Sequence, residues 1–395
     1  MDRGSEGQDT ARLRAGQPGP AGGGARAGDV PPAPTNGAAA ATNGPDANGA
    51  DANGADVNGA DANGADANGA GEAAAVQTPV QTPAPKIAIP KIAATGVLIP
   101  THNDGANIAT LLERLLEEPG VGEVVVVASG CDDDTVPIIS EVAAGDPRVQ
   151  LYVEPERSGK ASAVNFGIAC MSLPFIVVVS GDVLPEPGAI GLVVEALGRP
   201  GVGLAGGRPM PVNPEETAVG YACHLLWRLH HRLALHQPKL GEMIALRAEA
   251  VVSLPRTSVD EACFQALLES QGWTAVYVPE AIVANRGPGT VADFVKQRRQ
   301  IHTGHLWLRR GQHYSVPSLH LGLLVTELWR DLVAERHRLR PRPLAFTAGA
   351  VALEAGARLL ARFDYLRGRE NVVWAMVTST KGPTGGPNGL GPGHR

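Results

Sequence analysis

Apolar residues between positions 96 and 200 fall into two alternating patterns. Residues 96–100, 123–128, 149–153 and 175–180 are short runs dominated by Val, Ile and Leu. Their apolar positions are consecutive rather than alternating, which predicts strands buried on both faces. Between them lie stretches with helical spacing. Over 106–118, Ile108, Leu111, Leu112, Leu115 and Leu116 share one face, with Asn107 placed as an N-cap and Gly120 as a stop. Helices are expected again over 136–144, 159–170 and 187–197. This strand–helix alternation predicts an α/β domain with a mostly parallel central sheet.

Beyond residue 200 the pattern loosens. Strands are expected at 202–206, 242–246, 275–278 and 281–284, and helices at 217–236, 262–271 and 293–308. Two apolar helices follow, at 319–333 and 344–363. The first is too short for a membrane span and carries Glu327, Arg330 and Asp331; the second carries Glu354 and Arg358. Packing on the α/β core is the first expectation for this helical extension, and peripheral attachment at a membrane surface the second.

Composition divides the 395 residues further. Residues 46–70 are five DANGA-type pentapeptides, with Val57 replacing one Ala, and no aromatic residue precedes Tyr152. Such a segment buries too little apolar surface to offset its chain entropy, so 1–92 is expected to be a disordered tail, with 77–91 a Pro-punctuated linker. The main domain is placed at 93–312 and the helical extension, with a disordered end, at 313–395. The start of the chain has no apolar run of the secretory type. The four cysteines, Cys131, Cys170, Cys223 and Cys263, show no CxxC spacing, which fits a reducing compartment and a cytoplasmic location, with contact at the inner membrane face as a variant. The net charge is −6, yet 286–342 holds 11 Lys and Arg against 4 Asp and Glu, a net of +7. That stretch suits a phosphorylated substrate or an anionic surface; a nucleic-acid partner is not expected.

In open α/β sheets ligands bind beyond the carboxyl ends of the strands. The segments 101–104, 129–135, 157–160 and 180–182 each follow an expected strand, which brings Pro100, Thr101, Asn103, Asp104, Ser129, Arg157, Lys160 and Asp182 toward one shared site. His224, His230, His231, His302 and His305 are read as pocket-lining residues rather than metal ligands, with Trp227 and Trp307 as candidate stacking rings.

Six motifs run in order: VLIPTHND (97–104), VVVVASGCDDDT (124–135), RSGKASAVNFG (157–167), VVVSGD (177–182), VDE (259–261) and QRRQI (297–301). Together they resemble a family 2 glycosyltransferase on a GT-A-type nucleotide-sugar-binding domain, over about 97–310. The resemblance implies a divalent-metal-dependent, inverting, hexosyltransferase-like transfer from a nucleotide-diphosphate sugar to a hydroxyl acceptor. It puts Asp182 on the metal-contacting Asp of an Asp-x-Asp triplet whose first member is Ser180 here, with Mg²⁺ or Mn²⁺ as cofactor. Arg157, Gly159 and Lys160 match an Arg-x-Gly-Lys element expected to hold the donor phosphates, followed by Asn165. Ser129 stands where the family has a base-contacting carboxylate; a hydroxyl can bond a uracil edge, and a UDP-sugar is favoured. Asp132, Asp133 and Asp134 are expected to cap the next helix.

Asp260-Glu261 matches the pair that ends in the catalytic base, with the interval to Gly272-Trp273 selecting Glu261 and motif order allowing Asp260. Gln297, Arg298 and Arg299 match a Gln-x-x-Arg-Trp signature in part, with Gln300 and Ile301 on its last two positions. Both arginines are expected to hold diphosphate, and His302 to line the acceptor site with Trp227 and Trp307. The alternatives are a nucleotidyltransferase of similar fold, which the THNDG sequence after the first strand fits poorly, and a non-catalytic sugar- or lipid-binding scaffold. Neither the acceptor nor the oligomeric state follows from the sequence.

Overall fold

The computed structural model describes residues 95–384; the expected tail and linker at 1–92 and the last residues, 385–395, lie outside the described residues. The chain runs β1 (Thr95–Thr101), α1 (Ile108–Glu117), β2 (Val121–Ser129), α2 (Thr135–Gly145), β3 (Val149–Glu154), α3 (Lys160–Cys170), β4 (Phe175–Val179), β5 (Val183–Pro185) and α4 (Ala189–Leu197). It continues through β6 (Val202–Pro211), α5 (Ala218–His236), β7 (Met243–Arg247), α6 (Asp260–Ser270), β8 (Thr274–Asn285), α7 (Val291–Gln312), α8 (Leu321–Ala334) and α9 (Pro341–Leu366).

The strands form one sheet in the order β3-β2-β1-β4-β7-β6-β8-β5. β3, β2, β1 and β4 are parallel, as the continuous apolar runs predict, while β7 enters antiparallel between β4 and β6. The strands expected at 275–278 and 281–284 are one strand, β8, whose register against β6 shifts between Gly206 and Arg208. Burial on both faces explains the unbroken Val and Ile runs. Val97, Ile99, Val124 and Val126 pack with Leu111, Leu112, Leu115 and Ile139, whereas Leu98, Val125 and Val127 pack with Val164 and Phe264. All of these side chains are fully buried.

A third cluster joins Val219, Tyr221, Leu225 and Leu229 of α5 to Phe294 of α7 and Ala350 of α9. Among the described residues α9 is, by length and composition, long and apolar enough to cross a membrane. The sequence reading set this helix aside as a span because it carries Glu354 and Arg358. Within the fold α9 is tied to α7 by charge: Glu354 receives Arg298 at 2.9 Å, and Asp364 receives Arg299 at 2.6 Å.

Chain order fixes where a ligand can enter. From β1 the chain passes to β2 on one side, and β4 lies on the other, so the connections part at the carboxyl ends of β1 and β4. That divergence opens a crevice.

The start of α5 gives a local test. Thr217 caps it by accepting the Gly220 N–H at 3.0 Å, and a Cβ on Gly220 would lie 2.0 Å from the Pro214 carbonyl oxygen. Gly220→Ala should destabilise the protein by about 1–3 kcal/mol, since backbone cannot yield as a side chain can. Chemical denaturation checks this; an unchanged midpoint contradicts the close packing.

Candidate active site

The crevice opens into a cavity of about 360 Å³ lined by the loops after β1, β2, β3 and β4, by α5, α6 and α7, and by residues 372–381. The carboxylates of Asp104 and Asp182 meet at its floor. Thr101 Oγ1 donates to Asp104 Oδ2 at 2.7 Å, and the His102 N–H donates to the same oxygen at 3.2 Å. The approach of the two loops depends on Gly181, where a Cβ would stand 2.5 Å from Asp104 Oδ2 and 2.6 Å from Thr101 Oγ1. Both carboxylates face one cation, the Lys381 ammonium, 2.6 Å from Asp104 Oδ1 and 3.6 Å from Asp182 Oδ2. Burial, and then the charge of Asp182, push the Asp104 carboxyl upward against the pull of Lys381. Lys381 stays protonated: burial works against its charge, and the two carboxylates outweigh it.

Lys381 arrives on a segment that follows α9 and straps the crevice. Arg157 donates to the Trp374 carbonyl at 2.7 Å, Trp374 Nε1 to the Ser258 carbonyl at 3.0 Å, and Lys296 Nζ to the Met376 carbonyl at 2.6 Å. Gln300 accepts the Ala375 N–H at 2.8 Å. Asn107, placed as a helix cap, instead spends its side chain on the Gly382 carbonyl and the Thr384 N–H. Thr384 Oγ1 donates to the Asp182 carbonyl at 2.9 Å. Gly159, with φ 100°, allows the Val372 carbonyl to pass 3.3 Å from where a Cβ would be.

Across the cavity, Lys160 at the start of α3 meets the first two residues of α6. Its Nζ lies 2.7 Å from Glu261 Oε1 and 3.1 Å from Asp260 Oδ2. Burial and the neighbouring Glu261 charge raise Asp260 to about 7, against Lys160. Burial would also raise Glu261, but the Lys160 ammonium outweighs it and holds that carboxyl low. Glu242, in left-handed backbone at φ 63°, is pushed up to about 8 by burial and then by Asp182 and Glu261.

Pro100, Thr101, Asp104, Ser129, Arg157, Lys160, Asp182, Trp227, Asp260, Glu261, Gln297 and Arg298 all line this cavity. Other sequence expectations need correction. Asn103 turns aside to pair with Asp132, and Arg299 is taken by Asp364. His302 is buried against Glu354 at 2.7 Å, and Trp307 donates to the Arg369 carbonyl and packs on Tyr365. These four side chains lie outside the cavity lining. Ser129 Oγ donates to the Glu156 carbonyl at 3.2 Å, so the residue that favoured UDP has its hydroxyl engaged. Lys160, expected on the donor phosphates, is committed to two carboxylates. Asp133, of the three acids before α2, bonds the Thr135 and Gly105 N–H groups.

Lys381, Lys239 and Glu242 escaped the sequence reading. Lys381 sits in a Gly-, Pro- and Thr-rich stretch with no periodicity, and Lys239 and Glu242 lie on the loop before β7. Among the described residues no three His, Cys, Asp or Glu side chains gather as a metal site. Two carboxylates converging on one cation are nevertheless a suitable protein donor set for Mg²⁺ or Mn²⁺, which take one or two carboxylates and complete their shell with phosphate oxygens and water.

Glu242 gives a pH signature. Its folded pKa, about 8, exceeds the ordinary 4.5, so its contribution is most favourable below about pH 4.5 and is lost as pH rises through 8. Glu242→Gln should therefore raise Tm, and by more at about pH 8.5 than at about pH 5.5. An equal gain at both would contradict the shift.

Comparison with known proteins agrees with this geometry. Residues 96–251 match the family described as glycosyl transferase family 2. The glycosyltransferase AglE of Haloferax volcanii is 28% identical over 114 residues, 28% of this chain and 38% of that protein. Dolichyl-phosphate beta-glucosyltransferase ALG5C of Trichomonas vaginalis is 28% identical over 109 residues, 25% of this chain and 32% of that protein. The chain thus spans about a third of the length of these curated relatives. The solved mannosyltransferase PcManGT of Pyrobaculum calidifontis shares the fold, with TM-score 0.51 and 21% identity over 70% of this chain and 88% of that one. From motif order, sheet topology and the residue match, residues 96–251 form a family 2 glycosyltransferase domain of the GT-A fold.

Proposed function

We propose that this chain transfers a sugar from a nucleotide-diphosphate donor to a hydroxyl acceptor, with inversion at the anomeric carbon. The observation that carries the reading is the pair of carboxylates, Asp104 and Asp182, facing a second buried pair, Asp260 and Glu261, within one cavity. The first pair suits a cation that holds a diphosphate, and the second suits removal of a proton from an acceptor. Both curated relatives are named glycosyltransferases, and the Pyrobaculum mannosyltransferase is described in complex with GDP-Man and Mn²⁺, which supports the reading.

In this reading Asp104 and Asp182 hold Mg²⁺ or Mn²⁺ in the place of the Lys381 ammonium. A bound divalent cation would neutralise charge on the leaving diphosphate. Arg157, at the cavity wall, adds a permanent positive charge for the same phosphates. Glu261 takes the acceptor proton, as its side chain is more open to the cavity than that of Asp260, 20% against 7% exposed. The acceptor oxygen then bonds to the anomeric carbon as the bond to the diphosphate oxygen breaks on the opposite face. Lys160 orients Glu261 and, with Asp260, sets the charge of the pair, which titrates as a unit. The Ser129 contact no longer favours uracil, so the donor base rests on binding: a thermal-shift series of nucleoside diphosphates with Mn²⁺ identifies it.

Two measurements test the reading. Glu261→Gln should lower kcat by about 100-fold or more while nucleotide affinity stays near normal, as expected for loss of a general base. If Asp260→Asn does this and Glu261→Gln does not, the roles are exchanged. Lys381→Met should tighten Mn²⁺ binding in the absence of donor, read by calorimetric titration, because it removes the competing ammonium. Unchanged or weaker Mn²⁺ affinity would separate the Lys381 position from the cation site.

A further inference from the structure

The cavity continues past Glu261 into an end that the transfer chemistry above leaves unused. Its wall carries Lys239, His230, His305, Arg298 and Arg358, with Glu354 among them. Three basic side chains, Lys239, Arg298 and Arg358, thus share this wall with one carboxylate, Glu354. Glu354 is already divided between Arg298, at 2.9 Å, and Arg358, at 3.1 Å, with His302 at 2.7 Å. Lys239 has no hydrogen-bonding or ion-pairing partner among the described residues. It lies close enough to Glu261, Arg298, Glu354 and Arg358 for their charges to act on it, and burial followed by the arginine charge pushes it down to about 8.

The two histidines repeat the pattern. His230 is 6% exposed with both ring nitrogens unbonded, and His305 is 5% exposed with Nδ1 unbonded. Unsatisfied buried polar atoms are expensive, and a buried cation without a counter-ion more so. Five donor-bearing side chains around one space, with a surplus of positive charge, fit a ligand that brings negative charge and several acceptor oxygens.

We infer that this end of the cavity binds a phosphate group carried by the acceptor, with Lys239 as its counter-ion and His230 and His305 as hydrogen-bond donors. The inference rests on the sugar-transfer reading for calling the ligand an acceptor, but the anion site itself stands on the side chains named. Phosphate carries up to two charges, which match the surplus of Lys239, Arg298 and Arg358 over Glu354. The same wall sits next to Glu261, so a phosphorylated molecule anchored here presents its reacting oxygen to the base. The phosphate can be that of a soluble metabolite or of a lipid headgroup. Trp329, at 64% exposure, and Leu321, at 70%, lie on the outer face of α8, near enough in sequence to a basic run (336–342) to make the lipid source worth a separate arm.

The test is calorimetric titration of the full chain with inorganic phosphate and with glycerol phosphate, before and after the donor crevice is saturated with Mn²⁺ and the nucleoside diphosphate that the thermal-shift series selects. A second arm measures sedimentation with phosphatidylcholine vesicles, with and without phosphatidic acid. Phosphate binding should persist with the nucleotide bound. It should weaken by about tenfold or more in Lys239→Met and recover in Lys239→Arg, with nucleotide affinity unchanged in both. Lys239→Met should keep or raise Tm, since it removes a half-buried, unpaired charge. Loss of binding to soluble phosphates together with Lys239-dependent binding to phosphatidic acid assigns the same site to a lipid phosphate. Phosphate binding that vanishes when nucleotide is added, or that ignores Lys239→Met, overturns the inference while leaving sugar transfer intact. Failure of every nucleotide to bind, with the Lys239 effect still present, removes the transfer reading and keeps the anion site.

Discussion

Two ionised carboxylates held close together in a buried crevice need a neighbouring cation or a shared proton, and here the Lys381 ammonium is that cation. Asp104 and Asp182 come from loops on neighbouring parallel strands, brought together because the chain turns away from β1 in one direction and β4 lies in the other. Gly181 lets the loops touch. Lys381 then supplies the missing charge from almost the far end of the described chain. Parallel sheets of this kind place such loops together for geometric reasons alone; the cation is what makes the placement tolerable in low dielectric.

The same rule is repeated around the cavity. Lys160 binds Asp260 and Glu261, Arg298 and Arg358 share Glu354, and Arg299 with Arg369 holds Asp364. Buried ion pairs of this sort add little net stability over an apolar core, but breaking one partner is costly. Their effect here is positional. They fix α6 to α3 and α9 to α7, so the cavity wall is built from paired charges whose directions are set. Lys239 departs from this pattern, which is why it points to a ligand rather than to the fold.

Much of this was readable from the chain. Consecutive Val and Ile runs gave β1 to β4, and the loops after them gave Asp104, Arg157 and Asp182, because strand order and carboxyl-end placement are local, repetitive signals. The pair at 260–261 was read from its match to the family motif, with the interval to Gly272-Trp273 selecting Glu261 within it. What escaped was set by distant contacts. Arg298 and Arg299 look alike in sequence, yet one lines the cavity and the other faces Asp364, since successive residues on a helix diverge by about 100°. Trp307 and His302 were drawn away by Arg369 and Glu354 in the same manner. β5 is three residues long, too short to show a pattern, and Lys381 lies in a stretch whose composition gives no hint of order.

The strap that carries Lys381 also has a consequence for the order in which the protein matures. Its bond to Asp104 joins positions 277 residues apart, and the bond from Thr384 to Asp182 spans 202. Contacts this distant in sequence form only after most of the chain has left the ribosome, whereas the β1–β4 sheet can close on local pairings. The crevice is therefore assembled early and sealed late. A nascent chain would pass through a period with both acids present and their counter-charge still unsynthesised, when solvent cations in the cell are the ones available to fill the gap.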